Sequence, residues 1–75
     1  MKILQDYNAA VLTADRLVRE RERLLITSIS RTQAYQLEKQ GRFPARRRLG
    51  ARSVCWKLSE LLEWVEARGM ETINE

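Results

Sequence analysis

Between Ser30 and Gly41 runs a ten-residue segment, RTQAYQLEKQ, that is fenced at both ends. Ser30 suits an N-cap, because its hydroxyl can accept from a backbone N–H of the first turn. Gly41 suits the left-handed residue that follows a helix, and Pro44 stops any continuation. The spacing therefore predicts one short helix, with Ala34 and Leu37 on its buried face. Arg31, Thr32, Gln33, Gln36 and Lys39 then point away from the core. The rest of the chain has to cover the apolar side of this helix and support what it displays.

The residues upstream predict a partner helix. Thr13 can cap TADRLVRERER, with Asp15 in its first turn. Ala14, Leu17, Val18, Leu24 and Leu25 fall on one buried face, and the Arg/Glu-rich remainder reads as solvated surface with weak local ion pairs. ITSIS interrupts and forms a tight turn around Ile29. Downstream, ARRRL and SVCW flank Gly50-Ala51 and predict a tight hairpin. Alternation puts Leu49, Val54 and Trp56 on one face, with Arg47 snorkelling at its edge, and Arg46 and Arg48 on the exposed face. LSELLEWVEARG closes as a helix with a Leu58, Leu61, Leu62, Val65 stripe that Trp64 widens, Ser59 as N-cap and Gly69 after its end. Phe43 reads as a core plug, and Trp56 and Trp64 as core residues.

The order helix, turn, helix, hairpin, helix predicts a mainly α domain with a small β-hairpin, a winged helix-turn-helix over residues 12–69. Residues 1–11 carry Ile3, Leu4, Tyr7 and Val11 at helix-like spacing, and stay open between a docked arm and a flexible terminus. Residues 70–75 are expected to be disordered. A chain of 75 residues has room for one small core.

Composition narrows the function. There is one cysteine, Cys55, and no histidine, so neither an internal disulfide nor an ordinary zinc site can form. Cys55 reads as a small, half-buried apolar residue. No run is apolar enough for a membrane span, and the first twenty residues lack a signal peptide's apolar core, so a cytoplasmic location is the expectation. There is no Gly-rich phosphate loop. Glu60 and Glu63 adjoin on a helix surface without a cleft to raise their pKa. An enzyme is not expected, nor any cofactor.

Charge points toward a partner. Residues 1–25 carry five basic and four acidic groups, residues 26–56 seven and one, and residues 57–75 two and five. No carboxylate occurs between Glu38 and Glu60. Such segregation creates a basic patch and an acidic end, which suits a polyanion. In a helix-turn-helix the second helix enters the DNA major groove. Here segment 30–40 would offer Arg31, Thr32, Gln33 and Gln36 to base edges: Arg pairs with guanine, Gln with adenine, and Thr touches the thymine methyl. Ser30 at the helix start, Tyr35 and Lys39 would reach the backbone. The wing, residues 45–56, would add Arg46, Arg48 and Arg52, with Arg42 beside it, on phosphates or in the minor groove. Tyr35 is equally suited to packing, and Arg31 to pairing with Glu38.

The stretch SISRTQAYQLEKQGRFPARRRLGARSVCWKLSELLEWVEAR also resembles the AlpA family of prophage-encoded regulators. Ile29, Ser30, Arg31, Thr32, Tyr35 and Leu37 carry one block of the resemblance, and Gly41, Phe43 and Pro44 a second. Leu49, Gly50, Arg52, Val54 and Trp56 carry a third, and Glu60, Leu61 and Trp64 a fourth. The likeness covers about residues 24–68. It implies a winged-helix protein, akin to MerR-like domains and phage excisionases, that regulates integrase or prophage genes by binding double-stranded DNA. Ser28 stands where the family has a turn glycine, and Gln33, Ala34 and Glu38 depart from its commoner residues. Three readings follow: a sequence-specific transcriptional regulator, an excisionase-like recombination directionality factor that bends DNA, and a protein-binding adaptor that does not bind DNA. Integrase and RNA polymerase are partner candidates, and a homodimer or cooperative array on DNA would extend a small footprint.

Overall fold

The computed structural model describes residues 15–69. The arm at 1–11, Thr13, Ala14 and the tail at 70–75 lie outside them. The order is β1 (Leu17–Val18), α1 (Glu20–Thr27), α2 (Arg31–Lys39), β2 (Arg47–Arg48), β3 (Val54–Lys57) and α3 (Leu58–Arg68). Three helices thus support one small antiparallel sheet, ordered β1-β3-β2. The architecture is a winged helix-turn-helix.

Two boundaries form as their residues dictate. The Ser30 hydroxyl accepts from the Gln33 backbone N–H at 3.1 Å and caps α2. At the other end Gly41 sits at φ 71°, its N–H donates to the Glu38 carbonyl at 2.9 Å, and the Arg42 N–H donates to the Leu37 carbonyl at 2.8 Å. Those two bonds around a left-handed residue satisfy carbonyls that the helix end would otherwise leave bare. The turn between α1 and α2 is Ser28-Ile29-Ser30. Ser28 takes φ 58°, so this serine adopts the left-handed conformation that ordinarily favours glycine.

The first helix differs from the sequence expectation. It starts at Glu20, and Leu17 and Val18 belong to a strand whose Leu17 pairs with Lys57 and Val18 with Trp56. The hairpin therefore becomes a three-stranded sheet. Val18 still reaches the core, but as a strand residue, whereas Leu17 is exposed. Leu24 and Leu25 are exposed to 44% and 76%, so they are not the buried face of α1. That role falls to Arg23, which is 0% exposed, together with the partly buried Ile26.

Arg23 is buried because every part of it has a partner. Its guanidinium grips the Glu20 carboxylate through Nε at 3.0 Å and through Nη2. Nη1 donates to the Thr27 hydroxyl at 3.1 Å and to the Ile29 carbonyl at 2.7 Å. Its Cζ lies 6.0 Å from the Phe43 ring centroid and 5.7 Å from that of Trp56. The cation is thus paired, hydrogen-bonded and flanked by rings, the conditions under which a buried charge is tolerated.

Around it the core gathers Val18, Ala34, Phe43, Trp56 and Leu61, with Ile26, Ile29, Leu37, Val54, Leu58 and Trp64 packed partly against them. Phe43 is the expected plug: its ring meets Trp64 edge-on at 4.9 Å. The Trp64 indole donates to the Arg42 carbonyl at 2.8 Å and fastens the chain after α2 to α3. Cys55 is free and more deeply buried than expected.

Five further expectations need correcting. The hairpin does not turn tightly at Gly50-Ala51: its ladder ends where the Leu49 N–H donates to the Ser53 carbonyl at 2.8 Å, which leaves Gly50–Arg52 as the tip. Leu49 is exposed rather than apolar-face core. On α3 only Leu61 is fully buried, whereas Leu62 and Val65 face outward, and Gly69 keeps right-handed backbone angles. The start of α3 is capped from afar: the Asp15 carboxylate accepts from the Ser59 backbone N–H and hydroxyl, both at 2.9 Å. Ser59 is thus a capped residue and Asp15 the cap, because β1 delivers Asp15 to the helix start where an anion is favoured.

Those hydrogen bonds, first from the Ser59 backbone and then from its hydroxyl, hold the Asp15 carboxyl below its usual value of 3.8. A depressed folded-state pKa contributes stability above the unfolded value and loses it as pH falls through the folded one. Asp15→Ala is therefore expected to melt below the wild type at neutral pH. The two melting temperatures should converge on acidification past the ordinary carboxylate range. A gap that stayed constant with pH would show that the carboxylate does not supply the effect.

Candidate nucleic-acid interface

A groove of about 650 Å³ runs where α1, α2 and the hairpin meet. The start of α1 contributes Arg19, Glu20 and Arg21. One flank of α2 contributes Arg31, Thr32, Ala34, Tyr35 and Glu38, and the hairpin side contributes Arg46, Arg52, Ser53, Val54 and Trp56. The short helix and the Arg-bearing ribbon therefore share one surface.

Of the residues expected to touch DNA, the groove unites Arg31, Thr32, Tyr35, Arg46 and Arg52. Gln33 and Gln36 are exposed but not on its wall. An α-helix advances about 100° per residue. With Ala34 and Leu37 toward the core, Thr32, Gln36 and Lys39 form the outermost ridge of α2, and Gln33 lies on the flank away from the ribbon. The Ser30 hydroxyl is taken up by its cap. Arg42 falls in a second, shallower depression with Arg47, Glu60 and Trp64. Arg48 donates to the Ala51 carbonyl at 3.1 Å and so braces the tip of the hairpin.

The arginines are not equally available. The Arg46 guanidinium lies 4.9 Å from the Tyr35 ring centroid, and its Nε is 3.2 Å from Glu38 Oε1. Lys39 Nζ is also 4.9 Å from that ring centroid, so Tyr35 has two cations around it. Arg46 thus folds back toward α2 instead of standing on an outer hairpin face. Arg47 donates to Glu60 Oε2 at 2.9 Å. The carboxylate-free stretch is bounded in sequence by Glu38 and Glu60, and folding returns both carboxylates to its middle. Among the described residues Arg19, Arg21, Arg31, Arg42, Arg48 and Arg52 have no carboxylate partner.

Arg19 and Arg21 were invisible as site residues in the sequence. In RERER every arginine looks alike, and only the true start of α1 decides which is buried and which border the groove. Of the two carboxylates on the groove wall, Glu20 is held by Arg23 and Glu38 by Arg46. The net field of this surface is positive, with side chains suited to phosphate and to base edges.

Among the described residues no group of acidic and cysteine side chains could hold a metal ion, and no helix is long and apolar enough to cross a membrane.

Comparison with known proteins places the chain in a family. Residues 16–69, nearly the whole described domain, match the family of the Prophage CP4-57 regulatory protein (AlpA). The uncharacterized protein ORF88 of Enterobacteria phage P4 is 33% identical over 57 residues, which are 76% of this chain and 65% of that protein. The chain thus spans just under two thirds of that relative's length. With a winged helix-turn-helix and a family match covering more than half of its residues, the chain belongs to the AlpA family of prophage regulatory proteins.

Proposed function

We propose that this protein is a sequence-specific, DNA-binding transcriptional regulator of phage type. The observation that carries the reading is the shared groove between the exposed side of α2 and the Arg-bearing hairpin. The α2 ridge enters the major groove, where Thr32 and Gln36, with Arg31 and Gln33 on either side, meet base edges. Arg52 and Arg48 of the hairpin follow the backbone or the minor groove, with Arg42 nearby. Tyr35 and Lys39 reach the flanking phosphates. A monomer of this size covers few base pairs, so two copies or an array on DNA make the working form.

The test is duplex binding across a salt series. Removing Arg42 and Arg52 together, each to alanine, is expected to flatten the log–log salt dependence by about 1.8, at about 0.9 per phosphate contact. Gln36→Ala should instead change which sequences are recovered from a random pool. Absence of any gel shift at low salt would reject DNA binding and favour the adaptor reading. Equal, sequence-blind losses in both variants would reject the division between reading and holding. Strong bending of long DNA would favour the excisionase-like alternative.

A further inference from the structure

Glu38 is out of place in a surface built to accept phosphates. It lies on the α2 flank that faces the hairpin, in the same groove as Arg19, Arg21, Arg31 and Arg52. Its carboxylate engages Arg46 through one nitrogen at 3.2 Å, and the side chains are 23% and 40% exposed respectively. An arginine has five N–H donors and binds carboxylate and phosphate with the same fork. A contact through one nitrogen, open to water, is the exchangeable kind. The stacking of Arg46 over Tyr35 holds its guanidinium at the groove while it is paired.

We propose that Glu38 is an internal stand-in for phosphate, a residue that sets the affinity of the groove by occupying Arg46 until a DNA phosphate displaces it. The inference rests on the DNA-binding reading above. Its physical content is competition. A phosphate that approaches Arg46 must either dislodge the Glu38 carboxylate or be repelled by it. Both weaken the sequence-blind part of binding and leave base contacts from the outer ridge of α2 untouched. Glu38 would thereby keep the regulator from adhering to every duplex it meets.

The experiment is a double-mutant cycle with Glu38→Gln, Arg46→Ala and the pair, measured on a random duplex and on the best duplex from selection. Glutamine keeps the shape and helix propensity of glutamate, and thermal melting confirms that each variant folds. Glu38→Gln is expected to bind both duplexes about two- to fivefold more tightly, the range of an exposed ion pair. In the Arg46→Ala background the gain should largely vanish. Weaker binding by Glu38→Gln would overturn the proposal, because the pair would then be a brace that positions the hairpin. No change would overturn it too, as would a gain of equal size without Arg46, which would reduce Glu38 to bulk charge. A wild type that binds no duplex at any salt would instead reject the reading beneath it, and with it this inference.

Discussion

Arg23→Ala is expected to lower the free energy of unfolding by about 3 kcal/mol, enough to leave a domain of this size marginally folded. Three losses combine. The space between Phe43 and Trp56 empties, and only part of it can collapse. The Ile29 carbonyl and the Thr27 hydroxyl lose the Nη1 donor that ties the end of α1 to the turn. Glu20 loses its partner, although that carboxylate is 37% exposed and can rehydrate. Arg23→Met separates these contributions, because it refills the space without replacing the hydrogen bonds. Its loss should fall between that of alanine and zero. Urea unfolding of the three proteins is the measurement. An alanine variant within about 1 kcal/mol of the wild type would show that the buried arginine is not what holds the helix-turn-helix together.

Phe43→Ala carries a comparable expected cost, about 3 kcal/mol. Its ring is buried where α1, the hairpin and α3 converge, in edge contact with Trp64 and beneath the Arg23 guanidinium. Without it Trp64 has no ring to meet, although its indole still has the Arg42 carbonyl. Phe43→Leu retains most of the apolar volume and should cost less than about 1.5 kcal/mol. Thermal melting ranks the pair, and equal losses in the two variants would mean that ring packing is not the source. Because Phe43 lies between Gly41 and the hairpin, its loss should also loosen the hairpin against α2. DNA affinity should then fall further than the unfolded fraction alone explains.

Local signals were legible where one residue settles one local question. The hydroxyl of Ser30, the absent side chain of Gly41 and the ring of Pro44 bound α2 without help from distant parts of the chain. Ala34 and Leu37 then had to face inward, which left Arg31, Thr32, Gln36 and Lys39 outside. The first helix was illegible for the opposite reason. Leu17, Val18, Leu24 and Leu25 fit a helical stripe, but Leu17 and Val18 gain more as a strand, because β3 offers an edge for their backbone groups. That pairing moves the helix start to Glu20 and turns Arg23 inward. It also carries Asp15 to the N-terminus of α3, where it does the capping expected of Ser59. A burial pattern that counts arginine as solvated cannot anticipate a guanidinium whose partners arrive from Glu20, Thr27 and Ile29 together.

By itself, then, the sequence determined the bounds of α2, the side of it that faces outward, and the accumulation of arginine beside it, since caps, breakers and charge act over a few residues. Only the tertiary structure decided which arginines are usable. Arg23 is consumed by the core, Arg46 and Arg47 are met by Glu38 and Glu60, and Arg19 and Arg21 are drawn to the groove. Whether a charge is spent or available depends on what lies a few ångströms away in space, and chain order does not specify that distance.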